Sequence, residues 1–397
     1  MRIKNIIVPT FFICLILPLL SFSKTITYDK VKLKRAEIEL IEDRLLDVGI
    51  FIFDPNIPEN IEDDPLLFPE IRKAEATYMP YHLKNTLENS GFWGGVWVLP
   101  DNTKAMDLNV SGRIIESNGY DVSIEIGAWD ISGKQWLDKT YKAIVGQSSY
   151  SKLRDPNEDP YQSLFNEIAN DLQKIKSIYS SKELKRISEI GDLRYASDLI
   201  TSIFNDYLVQ DNKTRIYKIS RLPADDDPTM QRINSLKERE LNILDIINMN
   251  YEKLYKNIEV PYKDWRRDNR RNAISYEEYK RLAKQRKILG VVAILGGIMV
   301  DGDSNASGYA QQGLMIGGIQ AVQSGFAKSS EAEIYKGIME EGGKVLDSTA
   351  QGLLIEVEGQ TLRLIGNAQE QFLQWKRLLK QIYTEETGIT LKEDPAE

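Results

Sequence analysis

His82 is the only histidine of the chain and Cys14 the only cysteine. A disulfide scaffold, a thiol enzyme or a Cys/His zinc cluster needs more of these side chains than that. His82 is the one available imidazole base, and it follows Tyr78 and Tyr81 in a helical, aromatic setting. No Gly-x-Ser-x-Gly elbow surrounds any serine, so His82 reads as a surface or helix-cap histidine. Glu356 and Glu358 share one face of a strand, as paired glycosidase carboxylates could. Leu354, Ile355 and Val357 around them make that face the solvent side of a hairpin. Asp301-Gly302-Asp303-Ser304-Asn305-Ala306-Ser307 spaces oxygens at positions 1, 3, 5 and 7, as a calcium loop would. Its glycine is misplaced and Gln312 stands where a bidentate glutamate is needed, so it reads as a plain turn. Phosphate-cradling glycine motifs are missing. The sequence predicts no catalytic residue, no metal and no cofactor.

The pattern with the most physical content is a stripe of small residues. Gly313, Gly317, Ala321 and Gly325 recur at every fourth position, and Ala293 and Gly297 repeat that spacing upstream. On a helix such residues form one stripe along which a second backbone can approach closely. Ile288–Val300 and Ala306–Ala327 carry no charge and flank a polar turn at Asp301–Asn305. This predicts a glycine-zipper helical hairpin that enters a bilayer or drives self-association. The alternative is a tightly packed helix pair inside the fold. Thirteen residues at 1.5 Å each reach only ~20 Å, short of a full span.

The approach to this hairpin is basic. Lys263–Lys287 holds ten Lys and Arg against four acids. Arg266, Arg267, Arg270, Arg271, Arg281, Arg286 and Lys287 are candidates for anionic lipid headgroups. The same residues also suit the solvated face of an ordinary helix. The whole chain of 397 residues carries a net charge of −8, the wrong balance for a nucleic-acid binder.

The amino terminus reads as a secretory signal over residues 1–23. Arg2 and Lys4 precede an apolar stretch, Ile6 to Phe22, with Ser21 and Ser23 at −3 and −1 of a cleavage site before Lys24. A retained anchor is the alternative, though Pro9 and Pro18 interrupt the run. Cys14 lies mid-run with none of the flanking residues of a lipidation signal. Cleavage would leave no cysteine, which suits an oxidising compartment.

The elements that would position these features follow from periodicity. An α+β unit is expected over 24–180. Its strands are Asp47–Phe53, Trp93–Leu99, Leu108–Glu116, Tyr120–Asp130 and Gln135–Val145, with a hairpin turn at Asn118-Gly119. Its helices are Glu70–Asn89, broken or kinked at Pro80, and Tyr161–Tyr179. The expected arrangement is an antiparallel sheet backed by helices. Trp93, Trp97, Trp129 and Trp136 read as core, or else as an exposed patch for peptide or glycan. A mainly helical region follows over 181–287. It contains Lys182–Gln210, Met230–Lys256 and a third helix opened near Ser275 by a capping box with Glu278. The glycine-rich hairpin occupies 288–327. Residues 328–397 hold a helical continuation at Ser330–Ser348, a β-hairpin at Leu353–Val357 and Thr361–Ile365, and a terminal helix at Asn367–Glu386.

The stretch Leu108–Tyr141 resembles a pattern in Gram-negative envelope proteins. Val110-Ser111-Gly112-Arg113-Ile114 leads into Val122–Trp129, and Asp130-x-x-Gly133-x-x-Trp136 leads to Tyr141. It is similar to the small α/β domain of the curli-secretion lipoprotein and of the TolB amino-terminal region. The stretch that carries the resemblance is 34 of the 397 residues, and the chain departs from those lipoproteins in its lipidation signal. It implies an exported, non-enzymatic protein that assembles with itself or with another envelope protein. The functional expectation is therefore an assembly or secretion accessory. The alternative is a soluble periplasmic binding module for a protein or glycan.

Overall fold

The computed structural model describes residues 24–27, 30–59, 67–151, 158–297, 353–357, 360–364 and 367–388. The signal segment 1–23, the small residues Gly313, Gly317, Ala321 and Gly325, the turn at 301–305 and the continuation at 330–348 lie outside them. The chain is mixed α/β. A six-stranded sheet has the order β1-β6-β5-β4-β2-β3. Its strands are β1 (Lys24–Thr27), β2 (Val48–Phe51), β3 (Val96–Leu99), β4 (Leu108–Ser117), β5 (Asp121–Asp130) and β6 (Gln135–Ile144).

The expected antiparallel sheet is corrected to a mixed one. β4, β5 and β6 form the antiparallel meander that the alternation predicts. β2 instead runs parallel to both β3 and β4, and β1 runs parallel to β6. The cause is the crossover helix α1 (Pro69–Ser90) between β2 and β3. A helical crossover brings the chain back in the same direction, where a tight turn would reverse it.

Val122, Ile124, Ile126 and Ala128 of β5 are all buried in the main core, as strict alternation requires. The turn before β5 places Gly119 at φ +85°, a conformation that side chains rarely adopt. α1 does not break at Pro80. Proline cannot donate to the carbonyl four residues back. That carbonyl, Ala76 O, accepts the N–H of Phe53 from the end of β2 at 2.9 Å. The lost helical bond is replaced by a tertiary one.

α2 (Gln162–Lys176) packs Leu164, Ile168 and Leu172 into the same core. α3 (Ser181–Leu199) opens on a capping box between Ser180 and Glu183. It stops well before Gln210, and the short α4 (Thr201–Phe204) follows. A small hairpin, β7 (Leu208–Gln210) and β8 (Tyr217–Ile219), occupies the rest of the segment expected to be helical. Leu184, Ile187 and Ile190 of α3 belong to the main core, so buried packing continues across position 180.

The largest correction concerns α5, one helix of 70 residues from Pro228 to Gly297. It runs through Pro261 and through Ser275, where a new helix was expected to start. The polar segment 261–272 stays helical because Tyr262, Trp265, Arg266, Asn269 and Ala273 form a buried stripe at helical spacing. Docking of that stripe outweighs the local capping signal. Upstream, Ile233, Leu244, Ile247 and Tyr251 build a second core. Phe372, Trp375, Leu379 and Tyr383 of the C-terminal helix Ala368–Thr387 join it. The hairpin β9 (Leu353–Val357) and β10 (Gln360–Leu364) precedes that helix, as the alternation predicts.

Candidate functional site

Polar side chains of α1 and α2 line a cleft of about 400 Å³ that Tyr255 of α5 also borders. Ligand sites begin near this size. One wall is a stripe of α1, where His82, Asn85, Thr86 and Asn89 recur at three- and four-residue spacing. The facing wall is a stripe of α2, Gln162 and Asn166. Tyr255 of α5 closes the inner end, and Leu33 with Arg35 border the outside.

Gln162 spans the floor. Its amide donates to Thr86 Oγ1 at 3.2 Å and to Asn166 Oδ1 at 2.9 Å. Thr86 Oγ1 in turn donates to the His82 carbonyl at 2.9 Å. His82 is buried, which corrects the expected surface or cap position. α1 turns its polar side toward two other helices, and periodicity on α1 alone could not show that. His82 Nδ1 lies 2.7 Å from the Tyr255 hydroxyl, while Nε2 has no hydrogen-bond partner among the described residues. Whichever way the Nδ1 bond runs, Nε2 keeps one hydrogen-bonding capacity unused. Burial lowers the His82 pKa, Asp159 opposes the shift, Arg266 reinforces it, and the neighbouring Gln162 side chain also opposes it.

Beneath the cleft lies a second layer of buried polar groups. Tyr78 stacks on Tyr255 at 4.5 Å and donates to Asp159 Oδ2 at 3.0 Å. Arg266 donates from both terminal nitrogens to Asp159. Burial would raise the Asp159 carboxyl, but Arg266 and His82 hold it well below the usual carboxylate range. Tyr262 and Ser117 both donate to Glu75. Burial raises the Glu75 pKa, against the pull of Arg72. These groups fasten α5 to the sheet domain beside the cleft.

Arg266, Arg267, Arg270 and Arg271, four of the basic residues expected to meet lipid headgroups, do not share one face. Arg266 is 0% exposed and serves Asp159, so its expected lipid role is corrected. Arg270 donates to the Val145 carbonyl at 3.1 Å. Arg267 is exposed and pairs with Asp264 at 2.7 Å. Arg271 is exposed. Arg281, Arg286 and Lys287 lie further along α5, as do Ala293 and Gly297. The structure thus puts the first part of the small-residue pattern on the helix that walls the cleft.

Trp93 and Trp136 are buried, and Trp97 and Trp129 are half-buried. Trp97 donates to Asp245 at 2.7 Å, and Trp129 stacks on Phe51. They contribute to packing and do not form an exposed patch. Among the described residues no group of His, Cys, Asp and Glu could hold a metal ion. No described helix is long and apolar enough to cross a membrane. Sequence reasoning missed the cleft. Its one available signal was the recurrence of amides at four-residue spacing, Asn85 with Asn89 and Gln162 with Asn166 and Asn170. No family model, curated protein or solved structure matches this chain.

Proposed function

We propose that this chain is a non-enzymatic, exported cell-envelope protein that acts as an assembly or secretion accessory by holding a partner in the cleft between α1, α2 and α5. The observation that carries this reading is the cleft itself. It is polar, it is framed by helices, and the buried His82 Nε2 at its edge has no described partner. Its chemistry suits recognition more than turnover. His82 Nδ1 meets a tyrosine hydroxyl rather than a carboxylate, and no serine or cysteine stands at Nε2.

Membrane contact or self-association through Ala293, Gly297, Gly313, Gly317, Ala321 and Gly325 is the second reading. One observation favours it: α5 runs without interruption from the cleft wall at Tyr255 to Gly297. At 1.5 Å per residue the whole helix is about 105 Å long. Such a helix could join a partner site to an assembly segment.

A photo-crosslinking residue placed at Asn89, an exposed position on the cleft wall, tests the first reading in native cells. A discrete crosslinked product at Asn89, with none from the exposed Glu125 on β5, supports it. The same pattern at both positions, or no product at Asn89, overturns it. A carbonate wash of the membranes tests the second. Retention in the pellet supports an inserted segment, and release counts against one.

A further inference from the structure

Two asparagine pairs stand on the helices flanking the cleft, and the described hydrogen bonds engage only one of them. On α2, Asn166 and Asn170 are four residues apart, a rise of about 6 Å. They read the main chain of the segment 31–34. Asn166 Nδ2 donates to the Val31 carbonyl at 2.7 Å. Asn170 Nδ2 donates to the Lys32 carbonyl at 2.9 Å, and Asn170 Oδ1 accepts the Lys34 N–H at 2.8 Å. A carbonyl and the N–H two residues on share one edge of an extended chain, and one asparagine amide can serve both. The strap then reaches the end of α1, where Ala36 N–H donates to the Ser90 carbonyl at 2.8 Å.

On α1, Asn85 and Asn89 repeat the same spacing on the other side of the cleft. None of the described hydrogen bonds involves either side chain. Asn85 is half-buried and Asn89 is exposed. His82 Nε2, one turn away, is buried and also without a described partner. The charged groups at the rim are one arginine, Arg35, and one glutamate, Glu158, which pairs with Lys30 at 2.9 Å. Lined by one charged side chain of each sign, the cleft offers no cluster of like charge to an ionic ligand.

We infer that the cleft takes an extended, uncharged segment of another polypeptide, recognised through its main chain by Asn85 and Asn89 with His82 Nε2. This rests on the cleft being a binding site, as proposed above. Two-residue spacing along an extended chain, about 6.6 Å, is close to the rise between the two asparagines. The α2 pair shows the same side chains at the same spacing engaging main chain within this fold, and there Asn170 alone reads a carbonyl and the N–H two residues on.

The test uses the full chain and an array of uncharged ten-residue peptides, the same peptides with alternate backbone nitrogens methylated, and neutral oligosaccharides. The expected result is binding to unmodified peptides, weakened at least tenfold by backbone methylation and by the double variant Asn85→Ala/Asn89→Ala. Circular dichroism and melting of that variant should match the parent. If the variant fails to fold, the methylated peptides still decide the matter on the parent chain. Peptide binding indifferent to methylation overturns the inference. Oligosaccharide binding that depends on Asn85 and Asn89 also overturns it while leaving the cleft reading intact. No binding of any probe, together with no crosslink at Asn89, overturns both.

Discussion

Arg266 and Asp159 are joined by two hydrogen bonds of 2.9 and 2.6 Å across 107 positions of sequence. Arg266 is 0% exposed and Asp159 is 5% exposed. The guanidinium is also sandwiched by aromatic rings, 3.9 Å from the Tyr262 centroid and 4.5 Å from that of Tyr161. Charge pairing and cation–π contact therefore act at one point. That point pins the long helix α5 to the loop that precedes α2.

Removing one partner should cost more than removing both. Arg266→Met strands a buried carboxylate and should destabilise the protein by about 3–5 kcal/mol. Adding Asp159→Asn should recover a substantial part of that loss, because no uncompensated charge then remains. Urea denaturation of the two single variants and the double variant measures the coupling. Additive losses would show that the pair is not an energetic unit.

Gly119 and Gly133 both sit at positive φ, +85° and +95°, but their surroundings differ. A Cβ at Gly119 would lie 2.1 Å from the Arg266 carbonyl oxygen, a backbone atom that cannot swing away. At Gly133 the nearest atom is 3.3 Å distant. Gly133→Ala should cost about 1 kcal/mol from backbone strain, and Gly119→Ala about 3 kcal/mol or more. Thermal melting of the two variants compares them directly. Equal losses would mean that α5 does not press on the β4–β5 turn.

Asp107 should give stability an unusual pH dependence. Burial pushes its carboxyl up to about 6, against the opposing charge of Lys237. Asp107 Oδ2 accepts the Asp47 N–H and the Ser188 hydroxyl, and Oδ1 has no described partner. The native state therefore holds a proton that the unfolded chain releases near pH 4. The contribution is complete below about pH 4 and is lost as pH rises through 6, amounting to roughly 3 kcal/mol. Asp107→Asn should abolish this term and raise the melting temperature at pH 7 relative to the parent. An unchanged slope between pH 4 and 6 in the variant would reject the assignment.

Local signals carried much of the architecture. The β4–β5–β6 meander was legible because alternation and the Asn118-Gly119 turn act over a few residues. The α1 and α2 stripes and the terminal hairpin and helix were legible for the same reason. Pro80 misled because the group that satisfies Ala76 O is the Phe53 N–H, outside the helix. Ser275 and Glu278 misled because a capping box competes with the buried stripe from Tyr262 to Ala273, and packing won. Of the candidate site, the amide spacing was in the sequence, but not what the amides faced.

By itself the sequence determined which residues alternate and which recur at helical spacing, and so most element positions, because those preferences are settled between near neighbours. Tertiary structure decided the direction of β2, the unity of α5, the burial of His82 and the conversion of Arg266 from a surface candidate to a core anchor. Each depends on packing or pairing with a segment distant in the chain, which preferences between near neighbours do not encode. The asparagine pairs belong to the same class: spacing made them visible, and only the juxtaposition of α1, α2 and the 31–34 strap distinguishes the pair that is engaged from the pair that is open.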